Sequence, residues 1–278
     1  MCLGDDCDLE SPERRAVLLG TGAAIVSLAA FGMPVCAQEP PPPTRVLDDP
    51  SILHGAVSFP RGTGTIDGYL ARPKTKGRHR PVLVVAGNRI TEEYIPNTCA
   101  ALALAGFVAL APNIFHTVPD TAQTPDEIAK ALEGRTEDDF LQDIQAGADY
   151  LESRPDVKHG PLGIIGFCSG GRRAMLYAAR DARIKAVVPY HPARMAANEI
   201  APVKAPVQIH CGTADRHVKV EWIRELEQWF RQQGTPVEVF LYEGADHGFL
   251  AYTRPYYRAK DAQLSWQRTT AFLRKHLR

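Results

Sequence analysis

The chain has 278 residues, 45% of them hydrophobic, with 32 basic side chains balanced by 32 acidic ones. That length and apolar content suit one large α/β domain with a substantial core. The balanced charge excludes a global field for nucleic acid, an anionic membrane or another polyanion, so a small, weakly charged substrate is expected.

Arg14-Arg15 precede an apolar run over residues 16–31, and Val35-Cys36-Ala37 then places small residues where a signal peptidase reads. A cleavable export signal is predicted over residues 1–37, cut after Ala37. The paired arginines followed by Val17-Leu18-Leu19 resemble a twin-arginine leader, although Glu13 stands where Ser or Thr is usual. The expected location is periplasmic or secreted, with the export machinery as partner. The apolar run is short for a membrane span, and Met33-Pro34-Val35 makes a poor lipobox before Cys36, so no stable membrane insertion is expected.

Residues 38–45, with Pro40 to Pro43 in succession, read as an extended linker, and 46–278 as the folded domain. Residues 54–59 and 65–72 alternate like two strands of an antiparallel hairpin at a sheet edge. The run 81–86 is continuously apolar, as a strand buried on both faces requires, and stops at Gly87-Asn88-Arg89. A helix over 92–105 and a strand over 107–111 follow, so β, α and β alternate as in crossover units. Residues 117–135 are polar and broken by Pro119 and Pro125, and such an excursion after a strand is read as a lid or pocket wall. Helical periodicity returns over 137–153. Beyond residue 162 the expected elements are strands over 184–189, 207–211 and 237–242, with helices to about 180, over 221–233 and over 256–276.

Leu162-Gly163-Ile164-Ile165-Gly166-Phe167-Cys168-Ser169-Gly170-Gly171 reads as strand, sharp turn and helix start. Gly166 and Gly170 lie two residues either side of Cys168, where a strained nucleophile turn has no room for Cβ atoms. Ser169 is the neighbouring candidate, but Phe167 would then occupy a position that wants glycine. Two later strand ends supply partners: Gly212-Thr213-Ala214-Asp215 and Glu243-Gly244-Ala245-Asp246-His247. In a doubly wound sheet these ends share one edge, and the chain order nucleophile, Asp, His matches an α/β-hydrolase fold. His247 would manage the thiol proton and Asp215 would orient it, with Asp246 as the competing acid. His191 is expected to line the pocket, and His217 to sit at its rim. Arg172 and Arg173 are expected to face structure or solvent.

With residues 1–37 removed, Cys99, Cys168 and Cys211 remain. Three cysteines make no disulfide framework, and no metal-ligand spacing occurs, so neither a metal nor a cofactor is expected. A pairing of Cys99 with Cys211 stays open.

The elbow Gly166-Phe167-Cys168-Ser169-Gly170-Gly171-Arg172, the Asp215 turn, and His247-Gly248-Phe249 followed by Arg254-Pro255-Tyr256-Tyr257 resemble the dienelactone hydrolase family over essentially residues 46–278. The resemblance implies a mostly parallel sheet flanked by helices, and opening of small esters or lactones through an acyl-enzyme on Cys168. It further implies the triad Cys168, Asp215 and His247, with an oxyanion hole of the Ser169 and Asn88 backbone N–H groups. Arg89 and Arg254 are the expected carriers of a substrate carboxylate. In the family a Glu that helps to activate the cysteine follows the early strand, whereas Gly87 occupies that position here; Glu92 or Glu93 would have to substitute. Two alternatives follow: a general esterase or thioesterase without lactone preference, and a non-catalytic small-molecule-binding protein on a hydrolase scaffold.

Overall fold

The computed structural model describes residues 44–87, 92–122, 124–196, 199 and 203–278. Eight strands form one sheet in the order β1-β2-β4-β3-β5-β6-β7-β8. The hairpin β1 (Ile52–Arg61) and β2 (Gly64–Pro73) is antiparallel and supplies one edge, and β2 also runs antiparallel to β4 (Phe107–Pro112). From β4 onward all pairs are parallel: β3 (Arg80–Val85), β5 (Leu162–Phe167), β6 (Ile184–Tyr190), β7 (Val207–Gly212) and β8 (Val237–Tyr242).

Alternation along the central strands sends side chains to two cores. In β3, Leu83 and Val85 join one apolar cluster while Val82 and Val84 join the other. The first core is covered by α3 (Glu137–Ser153), α4 (Ser169–Arg180) and α5 (Val220–Gln232), the second by α1 (Tyr94–Leu104) and α6 (Ala259–His276). Burial on both faces is why β3, β4 and β5 carry apolar residues at nearly every position. This is the expected α/β-hydrolase architecture, with helices on both sides of a mostly parallel sheet.

The described residues of 117–135, expected as a lid or pocket wall, do not line the cavity described below; Pro119, Thr121, Ala122, Glu127, Lys130 and Ala131 border a separate surface hollow. The segment includes a short helix, α2 (Pro125–Ala131), closed by a capping box between Thr124 and Glu127. Val118 and Ala122 are buried, and Ile128, Ala131 and Leu132 pack beside them on the α3 side of the sheet. Apolar residues thus tie the segment to the core instead of to the cavity described below. At its end Arg135 donates to Ile114 O and to the buried Asp143 carboxylate, which also takes Arg61 Nε at 2.9 Å.

Among the described residues no helix is long and apolar enough to cross a membrane. The export signal, the linker up to residue 43, Asn88 and Arg89 lie outside the described residues.

Candidate active site

Parallel register sets the site. Val85 of β3 is level with Gly166 of β5, and Phe167 of β5 with Tyr190 of β6. The residues just past these ends, Gly87, Cys168 and His191, therefore meet at one edge of the sheet. They line a cavity of about 260 Å³ together with His247 from the loop after β8.

Cys168 stands at the strand-to-helix turn with φ 53° and ψ −118°, a conformation that L residues rarely adopt. The turn is held on both sides: Cys168 N–H donates to Tyr190 O at 3.1 Å, and Cys168 O accepts from Arg172 N at 3.1 Å and Ala193 N at 3.0 Å. The flanking glycines are obligatory for contact reasons. A Cβ on Gly166 would lie 2.3 Å from Gly170 O, and one on Gly170 would lie 2.2 Å from Val85 O. Cys168 is partly exposed and faces the cavity, whereas Ser169 turns away and donates its hydroxyl to Gly87 O at 3.0 Å. Of the two neighbours, the thiol is the one that lines the cavity. Ser169 N–H opens α4 as its first helical amide, a group that an α-helix leaves without an internal partner.

Asp215 is buried in the loop after β7, and each oxygen has a task. Oδ1 accepts from His217 N and Val218 N at 2.8 Å each, which fixes the carboxylate; Oδ2 accepts from His247 Nδ1 at 2.9 Å. Burial alone would raise its proton affinity, but these donors, His247 foremost, hold it below the usual carboxylate range. Asp246, the competing acid, accepts the backbone N–H of His247 at 2.7 Å and pairs with Arg216, so it does not hold the imidazole.

His247 thus presents Nε2 away from Asp215, and its ring nitrogen, a His191 ring nitrogen and Cys168 Sγ all lie within 4.8 Å of one another. Burial disfavours a charged His247 ring. The bond to Asp215 and the adjacent Cys168 outweigh it, so its pKa rises from 6.5 to about 9. An imidazolium persists at neutral pH. His191 is opposite in kind: it is 3% exposed, and burial followed by repulsion from His247 pushes its pKa down to about 3. Two histidines with centroids 4.1 Å apart are therefore held in different charge states. Backbone strain recurs here, since His191 has φ 35°.

The cavity's outer wall is aromatic and ionic. Tyr94 and Tyr256 line it, and Arg254 forms an ion pair with Glu92 at the same opening. Arg254 reaches the cavity; the tyrosines had been given no role, although Tyr256 lies within the run Arg254-Pro255-Tyr256-Tyr257 and Tyr94 opens the helix after the β3 loop. Of the proposed substitutes for the family's Glu, Glu92 lines the cavity but is engaged by Arg254. Glu93 does not line it: it accepts from the Tyr252 hydroxyl and pairs with Arg45 at 3.0 Å. Gly87 itself leaves no space, because a Cβ there would sit 2.4 Å from Phe167 O. His217 lies at the rim, its ring centroid 5.0 Å from that of His247. Arg172 and Arg173 serve structure, sharing Glu137, with Arg172 also on Glu199.

The comparisons with known proteins agree with this geometry. The sequence model of the dienelactone hydrolase family matches residues 66–277. A Methylorubrum extorquens protein assigned to the carboxymethylenebutenolidases is 31% identical over 98% of both chains. A Bradyrhizobium protein assigned as a 2-oxo-3-(5-oxofuran-2-ylidene)propanoate lactonase is 33% identical, covering 75% of this chain and 89% of its own. Among solved structures, a Klebsiella pneumoniae protein assigned to the dienelactone hydrolases superposes with a TM-score of 0.72. It is 27% identical, over 81% of this chain and 99% of the other.

Proposed function

Because the chain belongs to the dienelactone hydrolase family of hydrolases, we propose that it opens small esters or lactones through an acyl-enzyme on Cys168. The observation that carries this reading is the line from Asp215 Oδ2 through His247 to the cavity-facing Cys168 on a strained elbow. The sulfur attacks the carbonyl carbon, and a C–S bond forms as the C=O electrons move to oxygen. That oxyanion accepts hydrogen bonds from Ser169 N–H and, in this reading, Asn88 N–H. On collapse the C–O bond breaks and His247 gives its proton to the leaving oxygen, which in a lactone stays tethered to the acyl group. Water then attacks the thioester and His247 takes one of its protons; breaking the C–S bond restores the thiolate and releases the carboxylic acid, which gives its remaining proton to solvent. Asp215 remains ionised throughout, holding the ring through Nδ1.

The raised proton affinity of His247 supports a resting pair that needs no further carboxylate, which fits a glycine at position 87. Lactone preference depends on Arg254. Its guanidinium spends Nη2 on Glu92, so a substrate carboxylate would either share the remaining N–H groups or displace Glu92, whereas neutral esters make no such demand. The Arg14-Arg15 leader supports export to the periplasm or beyond, and fractionation of cells carrying Arg14→Lys with Arg15→Lys checks it.

The test of the chemistry is turnover of a short p-nitrophenyl ester and a dienelactone in parallel, with intact-mass detection of the acyl adduct. Adduct and turnover should vanish in Cys168→Ala. An inert wild type would favour the non-catalytic binding role, and turnover surviving in Cys168→Ala would require a different nucleophile.

A further inference from the structure

His191 is a buried side chain without a job in acyl transfer. Both ring nitrogens are enclosed, and neither has a hydrogen-bond partner. Buried imidazoles ordinarily satisfy at least one nitrogen, because a desolvated polar atom left unpaired is unfavourable. The unsatisfied ring is also rigidly placed: the residue has positive φ, its N–H donates to His210 O at 2.6 Å, and it is walled by Phe167 and His247. What it faces is a thiol and a second imidazole.

We infer that Cys168, His191 and His247 form a binding site for a thiophilic divalent cation, of which Zn²⁺ is the type, and that its occupancy reversibly silences the nucleophile. The donor set is one sulfur and two imidazole nitrogens, all mutually within 4.8 Å. Three points no farther apart than this have a common centre at most about 2.8 Å from each, by dividing 4.8 Å by √3. Zinc bonds are about 2.3 Å to sulfur and 2.0–2.1 Å to nitrogen, so each side chain need close by well under one ångström. His247 already donates Nδ1–H to Asp215 at 2.9 Å, the carboxylate–histidine arrangement that orients a zinc-bound ring through its other nitrogen. Three protein ligands leave a fourth position facing the cavity, as in zinc sites open to water.

No electron transfer is involved. As the ion enters, the proton shared by Cys168 and His247 passes to solvent, and the sulfur lone pair that would attack a carbonyl is taken up by the metal. No such site was expected from sequence spacing, because its ligands come from the loops after β5, β6 and β8.

The experiment uses the full chain stripped with EDTA and titrated with ZnCl₂ by equilibrium dialysis, with Co²⁺ as a spectroscopic substitute. One Zn²⁺ per chain is expected. Co²⁺ should give the thiolate charge-transfer band and the intense visible bands of four-coordinate geometry. His191→Asn, chosen because Asn tolerates positive φ, and Cys168→Ser should each weaken binding at least about 100-fold. Asp215→Asn, which alters only the support of a ligand, should weaken it about 10–100-fold. No saturable zinc in the wild type, a cobalt spectrum without a sulfur band, or unchanged affinity in folded His191→Asn would overturn the site. The cobalt spectrum needs no variant, so a variant that fails to fold does not rescue the idea. Acyl-adduct formation measured in EDTA reports on the hydrolase reading separately.

Discussion

Replacing Asp215 by Asn removes the charge that His247 leans on while keeping size and most hydrogen bonding. In the native protein Oδ1 is anchored by two backbone N–H groups, so Asn would keep its carbonyl there and turn its NH₂ toward His247 Nδ1. Nδ1 would then have to accept, leaving the proton on Nε2, the wrong tautomer for receiving one. Because burial opposes it, the net rise of the His247 pKa from 6.5 to about 9 is a lower bound on what Asp215 and Cys168 supply together. At 1.36 kcal/mol per tenfold change in proton affinity, that rise corresponds to about 3 kcal/mol. Ester turnover should therefore fall by about 100-fold or more. The alkaline limb of the pH–rate profile, where the imidazolium is lost, should move from near 9 toward or below 6.5. The sign follows from which form the carboxylate favours: Asp215 stabilises the charged ring, so its removal lowers the pKa. The assay is kcat/KM across pH 5–10 with circular dichroism at each pH. A folded variant within about fivefold of wild type, with its alkaline limb unmoved, would refute this account of the triad.

Alkylation should find one fast thiol among residues 44–278: Cys168 is partly exposed, while Cys99 and Cys211 are fully buried and burial raises both pKa values, that of Cys211 to about 12. Peptide mapping after iodoacetamide should show Cys168 labelled at least about 100 times faster. Gly87→Glu should not restore a family-type carboxylate, because its Cβ would meet Phe167 O at 2.4 Å; loss of thermal stability with no gain on a dienelactone is expected. Gly170→Ala places a Cβ 2.2 Å from Val85 O and 2.5 Å from Ala86 O, both backbone, and should cost about 3 kcal/mol or more in chemical denaturation. Asp143→Ala leaves Arg61 and Arg135 without the buried carboxylate between them, and about 3 kcal/mol of destabilisation should appear by the same measurement.

The parts of the site legible in the sequence were those that local geometry dictates. Gly166 and Gly170 mark the elbow because their missing Cβ atoms are required by contacts within the same turn and the adjacent strand, and the strand ends at Asp215 and His247 follow from apolar runs of sheet length. The order of those loops then places them on one edge. What pattern could not reach was pairing across loops. His191 reads as a pocket residue after a strand, but its approach to both Cys168 and His247 depends on the registers of β5 and β6. The segment 117–135 misled because its apolar residues, Val118, Ala122, Ile128 and Leu132, have no regular period once Pro119 and Pro125 interrupt them. The capping box at Thr124 and Glu127 was the overlooked signal of a packed helix.

Cys99 and Cys211 belong to cores on opposite faces of the sheet, and this has a bearing on how the molecule ages under oxidants. A sulfenic acid formed on Cys168 would find no second thiol among the described residues with which to condense, so the reversible disulfide that shields many oxidised cysteines is closed to it. Further peroxide would carry the sulfur to the sulfinic level, which lacks a general route back. Oxidative inactivation at Cys168 should then show no recovery on adding a reducing thiol late in exposure.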